Sequence, residues 1–207
     1  MNGKIASIGM DVTDDDIITI DGIIIKTQKD FVYLLYHKPV GIETTTDQTK
    51  PYNIIDAISY PERIFPVGRL DKNSSGLIIL TSDGQIVNKI LRSENSHEKE
   101  YIVEVDKPYP ESFLKSMEKG VEIYNPVKHV STVTLPSKVT RISNNTFKIV
   151  LTQGLNLQIR RMTKALGFNV NKLHRTRIMN LKIDQLSPGK YRHLTELEKR
   201  EMFQLIQ

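Results

Sequence analysis

An uninterrupted apolar run at residues 77–80, Leu-Ile-Ile-Leu, constrains the fold more than any other feature of the chain. The residues before it, KNSSG, and after it, TSDG, are of the kind that favours turns. Four apolar residues without alternation are typical of a strand that is covered on both faces. The sequence therefore predicts a sheet with a fully buried strand here, and it places Arg69 and Asp71 in the loop that leads into this strand.

Strand patterns and helical periods alternate along the rest of the chain. Residues 2–26 combine short β-rich runs with Asn-Gly and Asp-Gly turns, which predicts small hairpins. The other predicted strands are VYLLYHK, RIFPV, GLIILT, KEYIVEVD, HVSTVTLP, SKVTRIS and TFKIVLT, of which the last three form an antiparallel meander. Helices are predicted at QIVNKILRS, PESFLKSMEKG, residues 155–166 and ELEKREMFQLI. These elements predict a mixed, largely antiparallel sheet with helices and a domain boundary near residues 28–31.

The charge of the chain is unevenly distributed. Residues 1–30 carry six aspartates and three lysines, which leaves 26 basic and 18 acidic side chains, a net +8, for residues 31–207. Residues 158–177 contain six lysines and arginines and no acidic residue. Such a stretch favours binding to a polyanion, most simply a nucleic acid. A basic surface that only contacts solvent has the same composition.

Several classes of site are absent from the sequence. The five histidines show no metal-ligand spacing, and the chain contains no cysteine. Neither the GxxxxGK[ST] and GxGxxG phosphate-binding patterns nor the GxSxG nucleophile pattern occurs. No apolar run approaches the ~20 residues of a membrane helix. We expect a soluble, cytoplasmic protein that works without a metal, a nucleotide cofactor or a membrane.

The remaining candidate for chemistry is the loop carboxylate of Asp71. A carboxylate in this position usually caps a helix or closes a turn, and the residues around Asp71 do not by themselves decide between that role and a chemical one.

Three further segments accompany GRLDKNSSGLIILTSDG in order: YHKPVG before it, then HEKEYIVEV, then QGLNLQIRRM with KLHRTRIMN. Together the four motifs resemble the signature of the RsuA-like ribosomal RNA pseudouridine synthases over residues 31–207.

The resemblance implies a fold and an activity. The fold is the α+β pseudouridine synthase fold, a mixed and mainly antiparallel sheet flanked by helices. The activity is the isomerisation of a specific uridine to pseudouridine in large-subunit (23S) ribosomal RNA by an enzyme that flips the base and needs no cofactor. Two alternatives remain: the same chemistry on a transfer RNA or small-subunit ribosomal RNA, and a non-catalytic ribosomal RNA-binding or assembly factor.

The resemblance also assigns the catalytic residues. Asp71 is the family's indispensable aspartate, which attacks the ribose or the uracil as a nucleophile or acts as a base. Arg160 is the arginine whose positive charge keeps that carboxylate ionised in a pocket without water, and Ile159 packs against the flipped base. Tyr101 is the tyrosine that stacks on the uracil. Its alternation with Val103 also suits an ordinary core tyrosine, and both interpretations are compatible.

The expected RNA contacts surround these residues. Arg69 is placed to fill the space that the flipped base leaves, with an ion pair to Asp71 or Asp83 as the alternative. Further contacts to RNA, mostly to phosphates, are expected from Lys38, Arg161, Lys164, His174, Arg175 and Arg177. The resemblance implies a basic residue where this chain has Leu157, so positive charge near the pocket is thinner than in relatives.

The N-terminal segment resembles part of another module. Residues 3–26 are similar to the closing half of the small α-L RNA-binding module that precedes the catalytic domain in this family. We therefore expect residues 1–30 to be the C-terminal part of such a module, truncated at its start, and residues 31–207 to be the catalytic domain. The expected partner is ribosomal RNA, possibly also transfer RNA, and the expected state is a monomer.

Overall fold

The computed structural model describes residues 1–13, 16–25, 31–91, 97–125 and 129–206. The chain divides into two compact units, Met1–Phe31 and Val32–Gln207. The predicted boundary at residues 28–31 falls almost entirely outside the described residues. Within the described residues no helix has the length and apolar content to cross a bilayer.

The first unit contains a single described hairpin. Strands β1 (Ile18–Ile20) and β2 (Ile23–Ile25) pair antiparallel around Asp21 and Gly22. Both turn residues have positive φ, 52° and 79°, as a type I′ turn requires. The predicted hairpin at the Asp-Gly turn is therefore confirmed.

The second unit is built on a nine-stranded sheet with helices on both faces. Its strands run in the order β13, β3, β5, β11, β6, β10, β9, with β4 beside β5 and β12 beside β11. The bounds of these strands are β3 (Tyr33–Lys38), β4 (Phe65–Val67), β5 (Ser75–Thr81), β6 (Lys99–Val105), β9 (Lys138–Arg141), β10 (Thr146–Leu151), β11 (Val170–Ile178), β12 (Leu181–Lys182) and β13 (Tyr191–His193). Every pairing is antiparallel except that of β5 with β11. This arrangement confirms the mixed, mainly antiparallel α+β fold.

The predicted meander is wrong in one strand. Strand β8 (Val130–Val133) pairs with β7 (Glu122–Asn125) in a separate two-stranded sheet, whereas β9 and β10 pair in the main sheet. All four residues of β8 are exposed. The sequence of β8 has the β-rich composition of a strand, but it lacks the buried alternating face that would fix its partner.

Five helices complete the described part of this unit. They are α1 (Ile54–Ile58), α2 (Gly84–Leu91), α3 (Glu111–Lys119), α4 (Gln158–Ala165) and α5 (Glu196–Leu205). Helices α2, α3, α4 and α5 confirm the four predicted helices. Residues 92 and 93, the end of the helix predicted at QIVNKILRS, lie outside the described residues. Helix α1 was not predicted from the sequence, because its five residues are too few to display a helical period.

Three apolar clusters hold these helices on the sheet. Neighbouring residues of β5 point to opposite faces: Leu77 and Ile79 belong to the cluster with α2 and α5, whereas Ile78 belongs to the cluster with α1. The third cluster packs α3 and α4 on β6 and β10. Strand β5 is thus covered on both faces, as its apolar run predicts, and its N-terminal end emerges beside α4.

Candidate active site

Asp71 lies where the central strand β5 changes partner. The beginning of β5 pairs with β11 at Ser75 and Gly76, and its end pairs with β4 from Ile79 to Thr81. Asp71 belongs to the loop that joins β4 to β5, and its carbonyl accepts the amide hydrogen of Ser74 at 2.9 Å, which closes a turn. The carboxylate is therefore carried by a short loop at a fork between two strands.

Arg175 fills this fork. Its Nε donates to the carbonyl of Leu77 at 2.7 Å, between the two pairings of β5, and its Nη1 donates to the carbonyl of Arg69 at 3.4 Å. A single guanidinium thus ties the start of the Asp71 loop to the strand that follows it. Only 3% of the surface of Arg175 is exposed to solvent. The expectation that Arg175 contacts RNA phosphates is wrong for this reason, and its position assigns it to holding the loop.

Arg160 reaches the same loop from helix α4. Its Nε lies 3.9 Å from Oδ2 of Asp71, and its Nη2 donates to the carbonyl of Asn73 at 2.9 Å and to Oγ of Ser74 at 3.2 Å. Its Nη1 donates to the carbonyl of Val170 at 3.2 Å. The structure therefore brings together the two residues that were expected to pair. The side chain of Asp71 is 37% exposed, so its carboxylate is open to a substrate.

A second loop braces Asp71 from the side of strand β3. The hydroxyl of Thr44 donates to the carbonyl of Leu70 at 2.7 Å and accepts from its amide at 3.2 Å. The amide of Gly41 donates to the carbonyl of Lys72 at 2.8 Å. The residues immediately before and after Asp71 are thus both hydrogen-bonded to the loop that follows β3.

Lys38 holds that bracing loop together from inside. Its Nζ donates to the carbonyls of Pro39 at 2.9 Å and Ile42 at 2.8 Å, and no part of the residue is exposed. Burial lowers the pKa of Lys38 to about 8; the attraction of Asp71 opposes this shift and the repulsion of Arg175 adds to it. The expectation that Lys38 contacts RNA is wrong, because the ammonium group is fully buried.

Tyr101 lies beside Arg175 in the sheet. It stands opposite Arg175 in the pairing of β6 with β11, and the guanidinium carbon lies 6.0 Å from the centre of its ring. The ring packs against the cluster that contains Ile159. Among the residues that the structure describes, the Tyr101 hydroxyl has no hydrogen-bond partner. A packed ring with a free hydroxyl agrees with both interpretations of this tyrosine. Ile159 itself is 4% exposed, so nearly all of its side chain belongs to the core.

The basic stretch divides into a helix and a central strand. Strand β11, which the sequence did not reveal, contains His174, Arg175 and Arg177. A register shift between Arg175 and Arg177 interrupts its alternation, and four basic side chains obscure its apolar pattern. The remaining signal is Leu173 and Ile178, which are both buried.

Two other predicted phosphate contacts in β11 are engaged within the protein. His174 shares a hydrogen bond of 2.9 Å with the hydroxyl of Ser75, and its ring lies 5.2 Å from that of His37. Burial, with a smaller contribution from His37, lowers the pKa of His174, which favours the neutral imidazole. Arg177 donates to Glu98 Oε2 and to the carbonyl of Met179, both at 2.8 Å. Neither residue offers the free cation that a phosphate contact was expected to use.

Three predicted RNA contacts lie at accessible positions. Arg69 and Lys164 are exposed, and Arg161 is partly exposed with its Nη2 donating to Asn156 at 2.6 Å. Within the described ranges the guanidinium of Arg69 has neither a hydrogen bond nor an ion pair. The alternative pairing of Arg69 with Asp71 or Asp83 therefore does not form.

The turn before α4 has an unusual backbone. Leu157 precedes the helix with φ 51° and ψ 28°, a left-handed conformation that costs a non-glycine residue about 1–2 kcal/mol. Gln158, which is 5% exposed, accepts from the Leu155 amide at 3.0 Å and donates to Gln153 Oε1 at 3.2 Å. The side chain of Gln153 in turn accepts from the Leu135 amide at 3.2 Å. Two glutamines thus fix the turn.

No group of three or more metal-ligating side chains occurs among the described residues.

The architecture agrees with that of known proteins. The mixed, mainly antiparallel sheet is the fold of the pseudouridine synthases. A solved pseudouridylate synthase is similar to this chain with a TM-score of 0.76 and 28% identity, covering 97% of this chain and 86% of that one. A Cbf5-Nop10-Gar1 complex shares the fold, with a TM-score of 0.55 and 21% identity over 74% of this chain and 50% of the other.

The family described as RNA pseudouridylate synthase matches residues 32–165. The chain belongs to this family and is an enzyme that isomerises uridine to pseudouridine. It is 46% identical to the dual-specificity RNA pseudouridine synthase RluF of Escherichia coli K12, over all of this chain and 70% of the relative. It is 30% identical to ribosomal large subunit pseudouridine synthase B of Bacillus subtilis, over 98% of this chain and 84% of the relative. The predicted family, fold and enzyme class are confirmed.

Proposed function

We propose that Asp71, Arg160 and Tyr101 form the catalytic centre and that the substrate is a uridine of large-subunit (23S) ribosomal RNA. The observation that carries the proposal is the pair of Asp71 and Arg160, 3.9 Å apart at the strand fork. Arg160 is itself held by three hydrogen bonds, so the positive charge is fixed before substrate binds. An accessible carboxylate beside a fixed positive charge can act as a nucleophile or as a base.

The reaction is an isomerisation, so its atoms balance without a cofactor. The bond between ribose C1′ and uracil N1 breaks, the base turns, a bond from C1′ to C5 forms, and the hydrogen of C5 is lost while N1 gains one. Asp71 acts first, by attack on the ribose or the base or by removal of a ribose proton. The Tyr101 ring stacks on the uracil, and its unpartnered hydroxyl is available to carry the C5 proton.

RNA is bound by the accessible cations around this centre. Arg161 and Lys164 lie on α4, the helix that also carries Arg160, and contact phosphates on either side of the target nucleotide. Arg69 occupies the space of the flipped base; its exposed and unpaired guanidinium supports this role. Ile159 supports the base from the core side.

The RNA target follows from two kinds of relative. The name of the Bacillus subtilis relative refers to the large ribosomal subunit, and the names of the Escherichia coli and Shigella flexneri relatives state a dual specificity. Dual specificity favours a second RNA target, of which a transfer RNA stem-loop is the candidate.

The enzyme acts in the cytoplasm as a monomer. Residues 1–30 are the C-terminal part of an α-L module, and residues 31–207 are the catalytic domain.

Pseudouridine mapping tests the proposal. Unmodified large-subunit ribosomal RNA and total transfer RNA are incubated with the wild type, with Asp71→Asn and with Tyr101→Phe. The wild type should produce a site in ribosomal RNA, Asp71→Asn none, and Tyr101→Phe the same site at a rate about 100-fold lower, as expected for loss of a proton-transferring group. A wild type that leaves both RNAs unmodified contradicts the proposed substrates, and a site that survives Asp71→Asn contradicts the role of that residue.

A further inference from the structure

We infer that Leu157 determines how the enzyme holds the RNA beside its target, by packing its side chain on the face of the base next to the flipped uridine. This inference rests on the proposed function. Its starting observation is the conformation of Leu157, whose φ of 51° is one that glycine and asparagine adopt far more readily than leucine. A leucine at such a position is retained at an energetic cost.

The surrounding hydrogen bonds hold that conformation in place. Gln158 accepts from the Leu155 amide and donates to Gln153, and Gln153 accepts from the Leu135 amide, so the turn is bonded internally and anchored to one distant segment. Strained residues persist where the structure around them dictates their conformation, and they concentrate at functional sites. The turn is therefore built to present Leu157 in one direction.

The side chain of Leu157 is not used by the core. The residue is 40% exposed and lies outside the apolar cluster that contains its neighbours Leu155 and Ile159. Burial therefore does not account for an apolar side chain at this strained position.

The location of Leu157 indicates what covers it. It caps the N-terminus of α4 and precedes Arg160, the partner of Asp71, by three residues, about one helical turn. Arg161, whose amide donates to the carbonyl of Leu157 at 2.9 Å, supplies a cation for the adjoining phosphate. When the uridine leaves its stack, the neighbouring base exposes an apolar face, and proteins cover such faces with aliphatic side chains. The inferred binding mode places that face against Leu157.

The experiment compares three variants on one substrate. The substrate is a synthetic RNA hairpin around the mapped site, with 2-aminopurine next to the target uridine to report unstacking by its fluorescence. Leu157→Asn keeps the left-handed backbone but removes the apolar surface, and Leu157→Met keeps an apolar side chain. Leu197→Asn is the control, because Leu197 is 54% exposed on α5, a helix that packs in a different cluster from α4.

We expect Leu157→Asn to lower kcat/KM by about tenfold, mainly through KM, and to change the 2-aminopurine signal on binding. Its melting temperature should equal or exceed that of the wild type, which separates loss of RNA packing from loss of folding. Leu157→Met and Leu197→Asn should stay within about twofold of the wild type. Should Leu157→Asn prove unstable, Leu157→Gly keeps the backbone and gives the same test.

The outcomes separate the inference from the proposed function. A wild type that converts the hairpin, with Leu157→Asn unchanged in both KM and fluorescence, overturns the inference alone. An effect of equal size in Leu157→Met and Leu157→Asn also overturns it, because apolar packing would then be irrelevant. Failure of the wild type to convert any RNA contradicts the proposed function.

Discussion

At the scale of single residues, the positive charges around Asp71 divide into two groups. Arg160 and Arg175 are both committed to backbone carbonyls, and Lys38 is bonded to two more. These buried or half-buried cations shape the loop that carries the carboxylate. Arg69, Arg161 and Lys164 remain accessible and are suited to contact a polyanion.

The contrast between Arg175 and Arg161 gives a paired prediction. Arg175→Gln should lower the free energy of unfolding by about 3 kcal/mol, since it removes charged hydrogen bonds from a buried site. The salt dependence of its RNA affinity should match the wild type. Arg161→Gln should leave stability within about 0.5 kcal/mol and reduce the slope of log Kd against log salt concentration by about one. Denaturant titration and filter binding measure the two effects, and a reduced slope in Arg175→Gln would return that residue to the RNA interface.

Lys38 predicts a pH dependence of stability. Its pKa is lowered from 10.5 to about 8 on folding, so between these values the unfolded chain binds more protons than the folded one. The group therefore makes the free energy of unfolding rise with pH across this window. Relative to Lys38→Met, the wild type should gain about 2 kcal/mol between pH 7.5 and pH 10. Parallel pH profiles of the two proteins in denaturant titrations would disprove the shift.

At the scale of elements, the position of the loop that carries Asp71 is set by the crossing of β5 and β11, the point at which the two strands pair in parallel at Gly76 and Arg175. The two strands approach so closely that a Cβ at Gly76 would lie 2.3 Å from the carbonyl oxygen of Arg175, and φ of Gly76 is 115°. Only glycine fits this crossing without displacement of the backbone. The close contact between the backbones of Gly76 and Arg175 therefore fixes the point at which the Asp71 loop ends and strand β5 continues.

A pair of glycine variants tests this crossing. Gly76→Ala should lower the free energy of unfolding by about 3 kcal/mol or more, through backbone displacement and strain. Gly84→Ala is the matched control, because its Cβ would meet only Phe65 at 3.8 Å at the start of helix α2. It should raise the free energy of unfolding by about 0.5 kcal/mol. Equal midpoints of denaturation for the two variants would show that the crossing tolerates a side chain.

At the scale of the whole molecule, the two units carry opposite net charges. Residues 1–30 have a net charge of −3 and residues 31–207 a net charge of +8. If RNA binds the catalytic domain alone, log Kd against log salt concentration should have a slope of about 2, from the two or three phosphate contacts that the accessible cations can make. Asp11→Asn with Asp21→Asn should leave both the affinity and this slope unchanged. Tighter binding by this double variant would show that the first unit approaches the RNA.

Much of this protein is determined by its sequence. The apolar run of β5 with its flanking turns, the Pro–Gly bounds of α3 and the Asp-Gly hairpin follow from local rules, since each depends on neighbouring residues. The four ordered motifs also selected Asp71 and its distant partner Arg160. The structure then placed these two residues in contact.

Other features were decided only by the tertiary structure. Whether a basic side chain faces solvent or a carbonyl depends on which strands surround it, so Lys38, His174, Arg175 and Arg177 could not be assigned from charge alone. Strand β11 escaped detection because three of its four basic residues, His174, Arg175 and Arg177, are buried or half-buried by partners from distant parts of the chain. The sequence alone nominated Asp71, Arg160 and Tyr101 as the candidates for the chemistry. The strand fork, a property of long-range pairing, decided which of the surrounding cations hold the Asp71 loop in place.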